Sequence, residues 1–197
     1  MSDVVRKTRR DEQAEERREQ LLEIALQLFG TIGMDGCSIK QLSHEAGVSQ
    51  GLIYYYFKSK EDLLLAVVDR YSLLRPMREL LCANQERPAR EFLPEMAREL
   101  HKILEARRNL IWVFFRESRC NPAIQDKHAQ MREEGTRLLA EYMEARIRAG
   151  ELRPHDPRLS ARALLSWIFM HHLVRPPDEC FPPEFVDYLL TGILGGR

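Results

Sequence analysis

Apolar positions recur every three or four residues along almost the whole chain, and no long β-branched alternation competes with them. That spacing puts apolar side chains on one face of a helix, so the chain is predicted to be all-α. The first helix is predicted over about 11–29, with Leu21, Ile24, Ala25, Leu28 and Phe29 as its buried stripe. Two short helices follow near 38–45 and 49–56. A fourth begins at Lys60 and ends before Pro76, since proline breaks a helix interior. A fifth covers about 89–106, a short apolar one 109–118, and a long one 122–149, stopped by Gly150. The last two span 157–174 and 183–194, which makes about nine helices.

The predicted starts carry capping chemistry. Ser38 precedes Gln41 by three residues, the spacing of a capping box. Ser59 stands before Glu61 and Asp62, an oxygen cap followed by acids in the first turn. Asn121-Pro122 and Asp156-Pro157 pair a cap residue with proline at the first helical position, and Pro182-Pro183-Glu184 opens the last helix. Glu133–Arg137 and Glu144–Arg148 are i,i+4 pairs on a solvated face.

Composition narrows the class. The 197 residues allow one large or two small domains, and the segment after residue 60 follows without a flexible linker. The expected division is 1–60 and 61–197. Hydrophobic residues make up 44%, too many for wholesale disorder. Thirty Lys/Arg balance thirty Asp/Glu, which argues against a histone-like protein that coats nucleic acid by bulk charge, though not against a local basic patch. Cys37, Cys82, Cys120 and Cys180 are scattered, unlike a disulfide scaffold or a zinc ribbon. No apolar region follows the charged N-terminus, and no run is long enough to span a bilayer, so a cytoplasmic protein is expected.

Residues 38–60, SIKQLSHEAGVSQGLIYYYFKSK, carry the function. Ile39, Leu42 and Ala46 point inward from the first short helix, and Val48, Ile53 and Phe57 from the second. Ser43 is small where two crossing helices come closest, and Gly47 suits the positive φ of a tight inter-helix turn. This is a helix-turn-helix pattern, whose second helix would lie in the major groove. Its outward set, Ser49, Gln50, Tyr54, Tyr55 and Tyr56, offers hydrogen bonds without net charge. Glutamine pairs with adenine, the tyrosine rings meet thymine methyls, and Gly51 lets the backbone approach the bases. Taken alone, the three tyrosines fit core packing equally well. Lys60 at the start of the fourth helix, flanked by Lys40 and Lys58, suits a phosphate.

Ala25, Phe29, Gly33, Ser38-Ile39, Ala46-Gly47-Val48-Ser49, Gly51, Tyr54, Tyr56-Phe57, Lys60 and Leu63 together resemble the DNA-binding region of the tetracycline-repressor (TetR) family. The resemblance implies an all-helical homodimeric transcriptional regulator, usually a repressor, released from operator DNA by a small ligand. By position, Gln50, Gly51 and Tyr54 resemble the family's base contacts. Ser38, Ser49, Tyr55, Tyr56 and Lys60 resemble its phosphate contacts, with Tyr56 standing where many members have histidine. Beyond residue 65 the resemblance is architectural only.

Arg6, Lys7, Arg9 and Arg10 form a short basic run before the first helix, read either as a minor-groove arm, Arg9 and Arg10 included, or as a solvated tail. The helix over 157–174 is apolar nearly all round, from Ala163 through Met170. With Phe185, Val186, Leu189 and Leu190 of the last helix it suggests a dimer interface built on Leu164, Trp167, Ile168, Phe185 and Leu189. Two-fold symmetry then implies a pseudo-palindromic operator. For a largely apolar or aromatic effector the candidate contacts are Trp112, Phe115, Tyr142 and His171, which combine bulk with a polar or polarisable edge. Arg116 either faces an acidic ligand, caps its own helix end or lies on the surface.

Rival chemistries fare worse. Gly47-Val48-Ser49-Gln50-Gly51 matches G-x-S-x-G, but a nucleophile elbow needs a strand before its serine, and this segment is helix-patterned. No histidine has glutamate three residues before it, as di-iron bundles require, and His44-Glu45 is not completed to HExxH. His171-His172 has no cysteine or acidic partner at ligand spacing, so core or interface histidines are expected. No catalytic residue, metal or cofactor is expected.

Overall fold

The computed structural model describes residues 9–174 and 184–193. These residues form ten helices: α1 (Arg9–Gly36), α2 (Ile39–Glu45), α3 (Gln50–Tyr56), α4 (Lys60–Tyr71), α5 (Leu74–Ala83), α6 (Ala89–Glu105), α7 (Arg108–Glu117), α8 (Pro122–Arg148), α9 (Pro157–Val174) and α10 (Glu184–Ile193). The all-α expectation holds. The added helix is α5, which lies where Pro76 suggested a stop. Pro76 is third in α5, inside the first turn, where a missing N–H leaves no intrahelical bond unmade. The first helix also runs past residue 29, kinking at Gly33 (φ 75°) before ending at Gly36. The expected start of the last helix at 183 lies outside the described residues.

The chain divides into two units. One holds the residues up to Tyr71 together with 109–120; the other holds 72–108 and the residues from 121 onward. The sequence placed α4 with the C-terminal half, but packing groups it with α1. Leu63, Leu64, Val67 and Val68 of α4 are buried, as are Leu21, Leu22, Ala25 and Phe29 of α1. Part of α7 also belongs to this first unit.

In the second unit α8 packs against α5 and α9, and α6 against α9 and α10. The buried face of α6 includes Phe92, Leu93, Met96, Ala97, Leu100, His101 and Leu104, the three- and four-residue spacing of one helical stripe. At Gly135 a Cβ would lie 3.6 Å from Leu165 and 3.7 Å from Leu74, so α8 comes close to both neighbours. Glu151 reaches back to accept from the Ala89 amide at 2.5 Å, supplying a cap that the α6 start lacks locally. Tyr142 is buried against Phe92 and donates to the Arg87 carbonyl at 2.8 Å. Burial, with the nearby Glu151 carboxylate, pushes its phenol up to about 12.

Candidate nucleic-acid interface

The helix-turn-helix is assembled by local hydrogen bonds. Ser38 caps α2, its Oγ accepting from the Gln41 amide at 3.1 Å; Ser49 caps α3, accepting from the Leu52 amide at 3.2 Å. Between them α2 ends in a Schellman turn: the Gly47 amide donates to the His44 carbonyl (3.1 Å) and the Val48 amide to the Ser43 carbonyl (3.0 Å). Gly47 takes φ 62°, the left-handed conformation that other residues adopt at a cost. Ser43 is buried, and its hydroxyl donates to the Lys40 carbonyl.

Only Ile53 of α3 and Phe57 just beyond it are buried; Arg18 of α1 lies over the Phe57 ring. Leu52 is half-buried, and most of the rest of α3 faces outward. Gln50, Gly51, Tyr54 and Tyr55 are exposed, Tyr55 at 78%, and Tyr56 is half-buried edge-on to Tyr55. Core packing therefore does not explain Tyr54 and Tyr55. A Cβ on Gly51 would meet nothing nearer than the Ser49 hydroxyl at 3.8 Å, so the fold itself does not require glycine there.

Lys60 differs from the sequence reading. Its Nζ donates to the Met34 carbonyl at 2.8 Å and the Cys37 carbonyl at 3.2 Å, tying the end of α1 to the start of α4. The carbonyls at a helix C-terminus lack intrahelical partners, and a cation fits their dipole. Lys60 therefore ties α1 to α4 in the folded chain. The α4 start is itself closed by Ser59, which accepts from the Asp62 amide, while Asp62 accepts from the Lys58 amide. Hydrogen bonds from its own amide and from Ser59 hold the Glu61 carboxyl low. Lys40 and Lys58 remain exposed. Arg9 and Arg10 are exposed but lie in the first turn of α1 and not in an extended arm; Arg6 and Lys7 lie outside the described residues. The acids of α1 gather elsewhere, in a groove lined by Glu12, Glu15, Glu16, Glu19 and Glu23 with Arg70, which pairs with Glu19.

The effector candidates divide between the two units. Trp112 (46% exposed) and Phe115 fall in the first unit, Tyr142 and His171 in the second, and Tyr142 is already bonded to Arg87. Arg116 pairs with Glu117. Leu164 (0%) and Ile168 (2%) are corrected from interface to core: a side chain already buried in its own chain has no surface left to give a partner. Trp167 and Phe185 stack at 4.6 Å and, with Leu189, are half-buried. The exposed face of α9 is instead Leu159, Ala163, Ser166, Met170 and Val174, with Tyr188 exposed on α10. Sequence reasoning also missed the surroundings of His172. His101 and Glu105, four apart on α6, meet it; the i,i+4 spacing was visible, but the partnership across α6 and α9 was not.

A capped, glycine-turned pair of short helices presenting a polar, uncharged face defines a helix-turn-helix DNA-binding regulator. A family model described as bacterial regulatory proteins, tetR family, matches residues 21–67, and one described as the tetracyclin repressor-like C-terminal domain matches 86–172. The chain belongs to the TetR family of transcriptional regulators, a non-enzymatic family, and Ser49 in the G-x-S-x-G run is a helix cap. It is 40% identical to the regulator AcrR of Shigella flexneri over 60 residues, 30% of this chain and 27% of AcrR. With the regulator YhgD of Bacillus subtilis it shares 27% over 154 residues, 76% of this chain and 79% of that one. The fold is also that of NalD, the secondary repressor of the MexAB-OprM multidrug efflux pump in Pseudomonas aeruginosa (TM-score 0.69, 22% identity, 93% of this chain and 98% of that one). Among the described residues no helix is long and apolar enough to cross a membrane.

Proposed function

We propose that the protein is a ligand-released repressor that binds a pseudo-palindromic operator as a homodimer. The observation that carries this reading is the exposed face of α3, where Gln50, Gly51, Tyr54 and Tyr55 stand clear of the core. Gln50, Gly51 and Tyr54 read base edges; Ser38, Ser49, Tyr55 and Tyr56 address the phosphates, aided by Arg9, Arg10, Lys40 and Lys58. Lys60 acts mainly by holding α1 to α4. Overall neutrality favours weak non-specific binding and dependence on two matched half-sites.

Dimerisation uses the apolar stripe of α9, Leu159, Ala163, Met170 and Val174, extended by Tyr188 of α10. Leu159, Met170, Val174 and Tyr188 are large exposed apolar side chains, a pattern that marks an interaction surface. The effector is a small apolar or aromatic molecule that binds the C-terminal half better in the DNA-incompetent state. NalD, of the same fold, is a repressor. Selection of bound sequences from random duplexes tests the reading, with a palindrome of half-sites about one helical turn apart expected. Recovery of no enriched sequence would overturn it.

A further inference from the structure

We propose that His101, Glu105 and His172 form a binding site for a borderline divalent transition-metal ion such as Zn²⁺, Co²⁺ or Ni²⁺. One donor atom from each lies within 4.8 Å of the other two. Glu105 Oε1 is 2.6 Å from His172 Nδ1 and 3.9 Å from His101 Nε2. A tetrahedral ion with ligand bonds near 2.0–2.2 Å needs donors about 3.3–3.6 Å apart, so side-chain adjustments of about 1 Å complete the geometry.

Two features of the fold favour an ion. The site lies in the second unit, bridging α6 and α9, which pack together, and both histidines are buried, His172 completely. Glu105 is oriented from outside: Arg108 donates to its Oε1 at 2.7 Å and to the His172 carbonyl at 3.2 Å. Arg108 and both histidines meet the same oxygen, and a carboxylate oxygen with two lone pairs can keep such an orienting partner while it ligates an ion. The His171 ring, 5.9 Å from that of His101 and tilted against Trp167, walls the same cluster.

The donor set selects the ion. Two imidazoles and one carboxylate suit borderline cations over Mg²⁺ or Ca²⁺, which prefer all-oxygen shells. Three protein ligands leave a fourth position for water or for an oxygen donor on an effector. A bound ion would cross-link α6 to α9 and so couple metal supply to the effector half of the regulator.

Titration of the full chain with CoCl₂ tests the site, since tetrahedral or five-coordinate Co²⁺ gives visible absorption that octahedral aqueous Co²⁺ lacks. The expected result is a saturable 1:1 band, bleached by ZnCl₂. His101→Ala, His172→Ala and Glu105→Gln should each weaken it about tenfold or more; His44→Ala, an exposed histidine, should leave it intact. If circular dichroism shows that His172→Ala does not fold, Glu105→Gln decides, because it keeps the side chain's shape at a half-buried position. No saturable band in the wild type, or one retained in Glu105→Gln, overturns the proposal. The measurement uses no DNA, so its failure leaves the operator reading standing.

Discussion

Replacing Lys60 by methionine separates two roles that the sequence alone merges. Methionine keeps most of the aliphatic stem and removes only the ammonium. Lost with it are the hydrogen bonds to the Met34 carbonyl (2.8 Å) and the Cys37 carbonyl (3.2 Å). A hydrogen bond to a charged group is worth about 1.5–3 kcal/mol. Lys60 is half-buried, the second bond is long, and water can reach the freed carbonyls in part, so the expected loss is nearer 2 kcal/mol in total. For a chain of this size that lowers Tm by about 4–8 °C. The ammonium also pulls down the Cys37 thiol, which burial pushes up, so the variant's Cys37 should react still more slowly with alkylating reagents. The DNA assay supplies the contrast. A lost phosphate contact would shrink the slope of log K against log salt by about 0.9 per half-site; a positioning lysine leaves that slope unchanged even where affinity falls. An unchanged Tm with a reduced slope would refute the assignment.

Three further outcomes follow from the structure. Gly51→Ala should stabilise the free protein by up to about 1 kcal/mol, since only the Ser49 hydroxyl lies within 4 Å of the new Cβ, yet weaken operator binding; calorimetry and a DNA-binding titration should move in opposite directions. Met170→Glu, at a 52% exposed position, should convert a dimer to monomer in analytical ultracentrifugation with little change in helicity, whereas Leu164→Ala should lower Tm through a core cavity worth about 2–5 kcal/mol. The Tyr142 phenol is raised in the folded state, so its contribution is fully present below pH 10 and is lost as pH rises towards 12; Tyr142→Phe should flatten that alkaline loss, which two pH units put at about 2–3 kcal/mol.

Much of the fold was legible because helices are local objects. The period of apolar residues, Ser38 and Ser49 at the caps, Gly47 at the turn and Gly150 at the end of α8 all act within a few residues of themselves. The helix-turn-helix was legible for the same reason: its turn, caps and outward face fit within 38–60, and the structure returns them in place. The α5 helix was lost because proline reads as a stop wherever it stands, while its effect depends on its position within the turn.

What the sequence by itself determined is therefore the all-helical class, most helix boundaries and the polar outward face of α3. Tertiary structure alone decided which side of each apolar helix is used. A helix apolar all round has no face to read, so only the packing of α9 on α6 and α8 assigns Leu164 and Ile168 to the core and Met170 and Val174 to the surface. Tertiary structure likewise joined Lys60 to Met34 and His172 to His101 and Glu105. Such pairings span tens of residues, and chain entropy gives no local trace of which distant groups will meet until the hydrophobic faces have chosen their partners.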